Sequence, residues 1–304
     1  MGLKPNMPSP TQLPYFCDPT ELPDTLPTLD EIEHAAVRLP TMRNPQLDCV
    51  VLVRGCFVVK YGKYVAENEG QALLFLAHHS RIPVPQLYAM YYEAGKLFLV
   101  MSNMPGTQLN LVWEGLSGDE KQHVLKQLRS IWMYLRSIPA PPAFFGGVCG
   151  GPLRHRFFLW TEPDIRITGP FYAEEDLGRA LALRSRKNWE GNERQPQTPG
   201  FFARHLPTVL RGHPGVLTHG DLQRKNILVE QIRVDGASEG ERRFRVSAVL
   251  DWEDAGWYPN YWEYAALFVD FEWHDDWPEK VESILDPYLL EAAMLKLVRQ
   301  DLDY

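Results

Sequence analysis

The feature that most constrains this chain is the segment 217–229, LTHGDLQRKNILV, together with the segment 249–253, VLDWE. It places a His-Gly-Asp turn ahead of an apolar run, an asparagine shortly after that aspartate, and a second aspartate at the end of another apolar run. Each piece alone is common by chance, whereas the ordered combination is specific. The runs 226–234 and 244–251 predict a β pair joined by the polar turn 235–240.

The polar residues of this segment are those that phosphoryl transfer from a nucleotide requires. Asp221 is the candidate for the carboxylate that accepts a hydrogen bond from an acceptor hydroxyl and takes its proton. Asn226 and Asp251 offer oxygen ligands, which suit Mg²⁺ better than Zn²⁺. Asn226 could instead be a turn residue and Asp251 a strand-end cap. Each alternative is credible singly, but the two together are a poor explanation.

Three neighbouring residues have other predicted roles. His219 is expected to hydrogen-bond the loop backbone rather than to act in catalysis. Gly220 permits a backbone conformation that a side chain would hinder. Glu253 stays open between a supporting carboxylate of the site, an acceptor-site carboxylate and a surface acid.

The first part of the chain predicts a small sheet with one packed helix. Two β-type runs, 49–53 and 56–60, are joined by a tight turn at Arg54 and Gly55. Apolar residues at helical spacing predict a helix over 67–79. A second hairpin follows at 87–92 and 96–101, turned at 93–95.

Lys60, at the end of the second run, is the candidate cation for the phosphates of a bound nucleotide. A strand lysine paired with a helix glutamate is the ion pair that the kinase mechanism uses. Glu69 is favoured over Glu67 as its partner because Glu69 lies closer to the apolar face of the helix. A solvated strand lysine is the alternative interpretation when Lys60 is considered alone.

The rest of the chain is predicted to be mainly helical, with fold class α+β. Ser117 and Glu120 form a candidate capping box for a helix over 119–137. The glycine-rich segment 146–151 is interpreted as a flexible connector, and the polar stretch 185–200 as a mobile surface loop. A further short helix is predicted to start at Asp30, a candidate N-cap before residues 32–37, and two more are predicted over 261–269 and 287–298.

We expect three regions: a proline-rich arm over 1–29, which lies on the body or stays mobile, an N-lobe over 30–104, and a helical C-lobe over 105–304. The net charge of −8 argues against a nucleic-acid partner. No apolar run has the ~20 residues that a membrane span needs, and no secretory or myristoylation signal is present. Four scattered cysteines indicate reduced thiols in a cytoplasmic protein.

These residues make the chain resemble the aminoglycoside phosphotransferase/choline kinase superfamily, and the tail 250–263, LDWEDAGWYPNYWE, looks most like its fungal branch. The resemblance implies a protein-kinase-like two-lobed fold and the use of ATP and Mg²⁺. It implies Asp221 as catalytic base, Asn226 and Asp251 as metal ligands, and Lys60 as phosphate anchor. It also implies a hinge whose backbone meets adenine, formed by Met101, Ser102, Asn103 and Met104.

The chain departs from the family pattern at two places. It has no Gly-x-Gly-x-x-Gly, and Arg54 with Gly55 is the only candidate turn to cover the phosphates. Met101 and Ser102 stand where an acidic hinge residue is expected.

The favoured hypothesis is therefore an ATP-dependent phosphotransferase that acts on a hydroxyl of a small molecule. The acidic and aromatic segment 270–276, DFEWHDD, could line an acceptor site for a cationic or sugar-like compound, or could be a solvated helix end or loop. A catalytically inactive pseudokinase is the alternative. A protein kinase is disfavoured because the chain lacks Asp-Phe-Gly and Ala-Pro-Glu.

Overall fold

A computed structural model describes residues 8–40, 47–161, 164–190, 197–232, 242–269 and 275–302. Its N-terminal part is a six-stranded antiparallel sheet in the order β1-β5-β6-β4-β3-β2. The strands are β1 (Tyr15–Phe16), β2 (Val37–Arg38), β3 (Asp48–Val53), β4 (Phe57–Gly62), β5 (Leu87–Glu93) and β6 (Lys96–Ser102).

Both predicted hairpins of this sheet are confirmed. The β3–β4 turn has Arg54 and Gly55 at positive φ, and the β5–β6 turn has Ala94 and Gly95 at positive φ. Glycine adopts this left-handed region without steric cost, so its place in each turn follows from the turn geometry.

Helix α2 (Glu67–His79) has the predicted bounds and packs on this sheet. Its apolar residues Ala72, Leu73 and Leu76 are buried in the same cluster as Leu99 of β6. The helix lies close to the sheet, because a Cβ at Gly70 would be 2.4 Å from the sulfur of Met90. This packing fixes Glu69, one position before Gly70, relative to the strand that carries Lys60.

The described part of the proline-rich arm lies on the N-lobe. Strand β1 pairs with β5 at the sheet edge. The backbone N–H of Thr11 donates to Oε1 of the Gln71 side chain at 2.8 Å, and Nε2 of the same side chain donates to Thr11 O at 2.9 Å. Arg54 forms ion pairs of 2.9 Å with both Asp24 and Glu31, which tie the arm to the β3–β4 turn.

The predicted helix beginning at Asp30 is wrong in its bounds. The N-cap of helix α1 (Leu29–Glu33) is Thr28 instead of Asp30, and Thr28 forms a capping box with Glu31. The helix ends before the predicted segment does, because Val37 and Arg38 form strand β2 and pair with β3.

The C-terminal part is mainly helical, as predicted. Its helices are α3 (Leu109–Val112), α4 (Gly118–Ser137), α5 (Ile165–Thr168), α6 (Glu174–Trp189), α7 (Thr198–Val209), α8 (Trp262–Val269), α9 (Trp277–Val281) and α10 (Leu289–Leu302). The capping box of Ser117 and Glu120 at the start of α4 is confirmed.

Two small sheets support the polar loops of this part. One has the order β11-β10-β7 and the other β8-β12-β9. Their strands are β7 (Thr107–Gln108), β8 (Gly146–Gly147), β9 (Gly215–Thr218), β10 (Ile227–Ile232), β11 (Arg243–Val249) and β12 (Gly256–Pro259). The predicted β pair is confirmed as β10 and β11, while its turn 235–240 lies outside the described residues.

Two loop predictions need correction. Gly146 and Gly147 are a strand paired with β12 rather than a flexible connector, and a Cβ at Gly256 would be only 2.6 Å from Gly146 O. Helix α6 extends into the stretch that was predicted as a loop, because Ser185 and Trp189 both donate hydrogen bonds to Asp301 of α10. Residues 191–196 lie outside the described part of the chain.

The core contains several large aromatic side chains that are almost fully buried. Those around β12 and α8 are Trp252, Trp257, Tyr258, Tyr261 and Trp262. They underlie the loop that carries Asp251. In the part of the chain that the structure describes, no helix has both the length and the apolar character needed to cross a bilayer.

We predict that Arg54→Ala releases the arm without unfolding the body, because Arg54 joins the arm to the sheet through exposed ion pairs, which contribute little to overall stability. Limited proteolysis should cleave residues 18–31 faster in the variant than in the wild type, while the main thermal transition changes little. Arg245→Ala, which removes an exposed arginine paired with Glu230 in β10, is the matched control. Equal cleavage rates in all three proteins would contradict the prediction.

Candidate active site

The loop after β9 is organised around His219, which is fully buried. The ring Nδ1 of His219 accepts the amide N–H of Asp221 at 3.1 Å, so the ring proton lies on Nε2, which donates to Leu250 O at 2.8 Å. The rings of His219 and Trp252 also pack edge to face, with their centroids 4.6 Å apart. His219 therefore joins the Asp221 loop to the strand that leads to Asp251, which supports the structural role expected from the sequence.

Glu263 of α8 is a second buried anchor of this loop. Its carboxylate accepts the backbone N–H of His219 at 2.9 Å and that of Gly220 at 3.2 Å. Gly220 has φ +89°, and a Cβ there would lie 3.0 Å from Asp254 Cβ, so the turn requires glycine. The sequence placed Glu263 only within the predicted helix 261–269, because a single acid 44 residues away gives no spacing signal.

Asp221 is held in one orientation by its neighbours. Its Oδ1 accepts from Gln223 Nε2 at 2.6 Å and its Oδ2 from Asn226 Nδ2 at 2.8 Å. Lys225 Nζ lies 3.7 Å from Oδ2. Asn226 O accepts Leu250 N–H at 2.8 Å, so the structure brings together the three segments that carry Asp221, Asn226 and Asp251.

Asp251 has a left-handed backbone, with φ +63° and ψ +60°. This conformation is costly for a residue other than glycine and persists only where the surroundings impose it, which is common at functional sites. It begins a 3₁₀ turn over Trp252–Asp254. The Oδ1 atom of Asp251 accepts a hydrogen bond from Lys60 Nζ at 2.8 Å.

Lys60 is surrounded by three carboxylates. Its Nζ lies 2.7 Å from Glu69, 2.8 Å from Asp251 and 3.1 Å from Glu253. Glu67 instead accepts the hydroxyl proton of Tyr92 at 2.9 Å. The predicted choice of Glu69 over Glu67 as the ion-pair partner is therefore confirmed, while the contact of Lys60 with phosphate stays a prediction.

The titration of this cluster follows from burial and from the imbalance of charge. Burial would lower the pKa of Lys60, but the attraction of the three carboxylates outweighs it and raises this pKa well above its ordinary value. Burial would raise the pKa of Asp251, yet Lys60 holds it below its ordinary value. Burial, reinforced by repulsion from the other two acids, raises the pKa of Glu69 to about 7.

The same cluster offers three carboxylates that could hold a metal ion. The carboxylate oxygens of Glu69, Asp251 and Glu253 lie within 4.8 Å of one another. One ammonium faces three carboxylates, so a further cation is electrostatically favourable, and an all-oxygen set suits Mg²⁺. The sequence left Glu253 open between three roles, and the structure places it beside Lys60 and Asp251. Metal binding by Asn226 and Asp251 stays a prediction.

Asn68 of α2 connects the two lobes at this point. Its Nδ2 donates to the carbonyls of Glu253 at 2.9 Å and of Ala255 at 2.8 Å. The sequence gave no signal for Asn68, because a helix-surface amide has no characteristic spacing. The contact fixes the helix that carries Glu69 directly on the turn that carries Asp251 and Glu253.

The predicted hinge follows strand β6. Ser102 N–H donates to Gln86 O at 2.9 Å, and Asn103 N–H to Cys56 O at 3.0 Å. These two hinge N–H groups are thus engaged within the protein. Met101 is buried and Met104 is half-buried. The adenine contacts of Met101, Ser102, Asn103 and Met104 stay predictions.

The prediction that the turn of Arg54 and Gly55 covers the phosphates is wrong. Arg54 and Gly55 lie at the hinge end of the β3–β4 hairpin, where Asn103 Nδ2 donates to Gly55 O at 2.9 Å. Lys60 pairs with Val50 toward the opposite end of the same hairpin. Residues 41–46, between β2 and β3 in the sequence, lie outside the described residues.

The acidic segment proposed for the acceptor lies mostly outside the described residues, which omit 270–274. The two described acids of this segment are engaged within the protein. Asp275 is paired with Arg224. Asp276 accepts from Trp113 Nε1 at 2.7 Å and from Lys121 Nζ at 3.0 Å. The role of the segment in binding an acceptor stays a prediction.

Asp254, at the end of the 3₁₀ turn, is a residue that the sequence reasoning missed. Its pKa is raised to about 7, first by burial and then by repulsion from Glu253, Asp221 and Asp251. In the unfolded chain the same carboxyl has the ordinary aspartate pKa of about 3.9. The folded protein therefore holds this proton over a pH range in which the unfolded chain has lost it.

We predict that Asp254→Asn stabilises the metal-free protein at pH 8 but hardly at pH 4. Because the folded pKa is raised, wild-type stability falls as pH rises from about 4 to about 7, and the neutral amide removes this loss. Urea unfolding in EDTA should show the difference growing across this range. At pH 8 the thermal midpoint should rise by roughly 2–4 °C or more, the shift that about 1 kcal/mol produces in a domain of ~200 residues. A pH-independent difference would contradict the prediction.

Comparison with known proteins agrees with this geometry. The sequence matches the family described as the phosphotransferase enzyme family over residues 57–294. A search of curated proteins finds no match. The comparisons do not test the fungal branch suggested by the sequence, which stays a prediction.

Two solved structures are similar in fold. The ADP-bound aminoglycoside phosphotransferase APH(2'')-Ib superposes with a TM-score of 0.54 at 14% identity, covering 88% of this chain and 79% of that chain. The streptomycin–ATP–APH(2'')-IIa ternary complex gives a TM-score of 0.52 at 15% identity, covering 90% and 83%. With an antiparallel-sheet N-lobe, a helical C-lobe and a family match over most of its length, the chain belongs to the phosphotransferase enzyme family and has its kinase-like fold.

Proposed function

We propose that this protein is an ATP-dependent phosphotransferase that transfers the γ-phosphoryl group to a hydroxyl of a small molecule. One observation carries the proposal. Lys60 and Asp251, which are 191 residues apart in the chain, meet at 2.8 Å beside Glu69, and the Asp221 loop is hydrogen-bonded to the same strand through Leu250. Phosphoryl transfer needs these groups together, one set for the phosphates and one for the acceptor.

The chemistry assigned to Asp221 is acceptor orientation and proton removal. The hydroxyl oxygen of the acceptor forms a bond to the γ-phosphorus, and the bond from that phosphorus to the oxygen bridging the β-phosphate breaks. The hydroxyl proton passes to the Asp221 carboxylate, and ADP leaves. Gln223 and Asn226 hold that carboxylate fixed, so its orientation is not lost to side-chain rotation before transfer.

Lys60 would contact the α- and β-phosphates, and Glu69 would hold the ammonium in place. Mg²⁺ bound by Asp251 and Asn226, with Glu253 beside them, would neutralise charge on the phosphates. Charge balance supports this assignment, since the site has one ammonium against three carboxylates.

Adenine is proposed to lie against the hinge of Met101, Ser102, Asn103 and Met104. Because the N–H groups of Ser102 and Asn103 are already bonded within the protein, we assign a hinge N–H contact to Met104. The two similar solved structures carry ADP and ATP with streptomycin, which supports a nucleotide in this cleft and a sugar-like acceptor. Within the described residues, no disulfide joins Cys17, Cys49, Cys56 or Cys149, which supports a cytoplasmic location.

We predict that Asp221→Asn lowers kcat roughly 10²–10⁴-fold, the usual range for loss of a general base. The amide keeps the shape of the side chain, so the rise in thermal midpoint on adding Mg-ATP should be retained. ADP formation over a panel of sugars, alcohols and amino alcohols measures the effect. Asp286→Asn, an exposed aspartate paired with Arg129, is the control. Wild-type Mg-ATP binding without ADP formation from any acceptor would indicate a nucleotide-binding module instead.

We predict that Asp251→Asn removes the magnesium-dependent part of ATP binding. A ligand at 100 times its Kd stabilises a protein by about 2.7 kcal/mol, and this stabilisation should shrink in the variant and in wild type with EDTA. Thermal unfolding with ATP, with and without Mg²⁺, is the measurement. Glu253→Gln, run in parallel, tests the third carboxylate of the cluster. An Asp251→Asn protein that keeps the full Mg-ATP shift would contradict the metal assignment.

A further inference from the structure

The Asp221 side of the site has an ammonium of its own, that of Lys225. Its Nζ lies 3.7 Å from Asp221 Oδ2, the same oxygen that accepts from Asn226 Nδ2 at 2.8 Å. The side chains of Lys225 and Asp221 are 29% and 25% exposed, so both are accessible to a substrate. None of the roles assigned so far involves this lysine.

The turn that carries Lys225 directs its two cations to different places. Residues Arg224–Asn226 form a 3₁₀ turn, in which successive side chains point about 120° apart. Arg224 lies over the rings of Trp113 and Trp277, with its Cζ 5.6 and 5.4 Å from their centroids. Arg224 is therefore engaged by these two indole rings, and Lys225 is the cation of the turn that lies beside the predicted catalytic base.

Lys225 is not needed to hold Asp221 in place. Gln223 and Asn226 already donate to the two carboxylate oxygens at 2.6 and 2.8 Å. The 3.7 Å between Lys225 Nζ and Asp221 Oδ2 is longer than a hydrogen bond, whose N···O distance is about 2.7–3.2 Å. Among the described residues, this ammonium has no hydrogen bond and no second ion pair. Its N–H donors are thus available to a ligand.

The same ammonium acts on the other half of the site. Burial would raise the pKa of Asp251, but Lys60 holds it below its ordinary value, and Lys225 adds to this lowering. Asn226, the residue after Lys225, accepts Leu250 N–H through its backbone carbonyl at 2.8 Å, and Leu250 directly precedes Asp251. Lys225 therefore lies within electrostatic range of both the predicted base and the predicted metal ligand.

The two lysines of the site are suited to different parts of a nucleotide. Lys60 is largely buried and paired with three carboxylates, so its position is fixed. Lys225 has one long ion pair, and the flexible stem of a lysine lets its ammonium shift toward a bound anion. A fixed cation suits phosphates that stay in place, whereas a mobile cation can follow a group that is transferred.

Phosphoryl transfer brings negative charge close to this lysine. A general base lies within about 2.6–3.2 Å of the hydroxyl oxygen from which it takes the proton, and that oxygen bonds directly to the γ-phosphorus. The γ-phosphoryl group therefore passes next to the Asp221 carboxylate while its three equatorial oxygens carry negative charge. Lys225 offsets the repulsion between these oxygens and the carboxylate on the acceptor side of the site.

We propose that Lys225 binds the γ-phosphoryl oxygens of ATP and stabilises their charge during transfer. This proposal rests on the phosphotransferase function proposed above. The acceptor oxygen bonds to the γ-phosphorus, the bond from that phosphorus to the β–γ bridging oxygen breaks, and the hydroxyl proton passes to Asp221. Lys225 keeps its own protons throughout and donates hydrogen bonds to the transferred group.

The first test measures nucleotide binding, so it needs no acceptor. Calorimetry compares Mg-ADP with Mg-AMPPNP, an ATP analogue that keeps the γ-phosphate and has NH as the β–γ bridge. In Lys225→Met the affinity for Mg-AMPPNP should fall about tenfold or more, the usual loss for a hydrogen bond to a charged group, while that for Mg-ADP changes less than about twofold. Lys225→Arg should keep most of the affinity, and Lys126→Met, which removes an exposed lysine of α4, is the matched control. An equal change for both nucleotides, or none, would overturn the proposal.

The second test asks whether Lys225 acts on the phosphate or only through Asp221. The effect of Lys225→Met is measured again in an Asp221→Asn protein, in which the neighbouring carboxylate charge is gone. A direct contact with the γ-phosphate predicts the same loss of Mg-AMPPNP affinity in this background. If the loss disappears there, Lys225 acts only on Asp221, and the proposal is wrong.

The third test is turnover. With water or a small-molecule hydroxyl as acceptor, kcat for ADP formation should fall roughly 10²-fold in Lys225→Met and partly recover in Lys225→Arg. An unchanged kcat would overturn the stabilising role during transfer. A wild type that binds neither nucleotide would contradict the phosphotransferase function itself, whereas a wild type that binds both and is unaffected by Lys225→Met overturns only the role of Lys225.

Discussion

The site depends on one set of interactions, the ion pairs of Lys60 with three carboxylates. Glu69 comes from the helix of the N-lobe, while Asp251 and Glu253 come from a turn of the C-lobe. A buried charge is costly unless it is compensated, so Lys60 stabilises this arrangement only when both lobes hold their acids around it. The ammonium thereby sets the distance between the sheet that would bind the nucleotide and the loop that would bind the acceptor.

The remaining contacts make this arrangement rigid. Asn68 binds the carbonyls of the turn that carries Glu253, and His219 binds both the Asp221 amide and the carbonyl of Leu250. Glu263 completes the network by accepting hydrogen bonds from the backbone N–H groups of His219 and Gly220. These are bonds between side chains and backbone, so they fix the path of the chain itself. Catalytic groups held in this way lose little freedom when substrate binds.

The sequence predicted the parts of the fold that local pattern determines. Helix 67–79, both N-lobe hairpins and the Ser117 capping box follow from turn residues and apolar spacing, and all are observed. The prediction that the turn of Arg54 and Gly55 covers the phosphates was wrong. The sequence of a short glycine turn does not show whether the turn lies at the hinge end of the hairpin or at the Lys60 end. The helical end of the predicted loop 185–200 was missed because α6 is continued by bonds from Ser185 and Trp189 to Asp301, more than 100 residues away.

The predicted site residues show the same division. Spacing identified Asp221, Asn226, Asp251 and the Lys60–Glu69 pair, since each lies at a fixed offset in a strand, loop or helix. It could not identify Asn68, Asp254 or Glu263, whose partners are set by tertiary packing alone. For the same reason the role of Glu253 stayed open until the structure placed it near Lys60.

The excess of carboxylates around Lys60 also bears on the form of nucleotide that the site would accept. One ammonium faces Glu69, Asp251 and Glu253, so the phosphates of a metal-free nucleotide would be repelled by the remaining negative charge. A nucleotide that carries its own divalent cation would offset that charge, because carboxylate oxygens are the ligands that such a cation prefers.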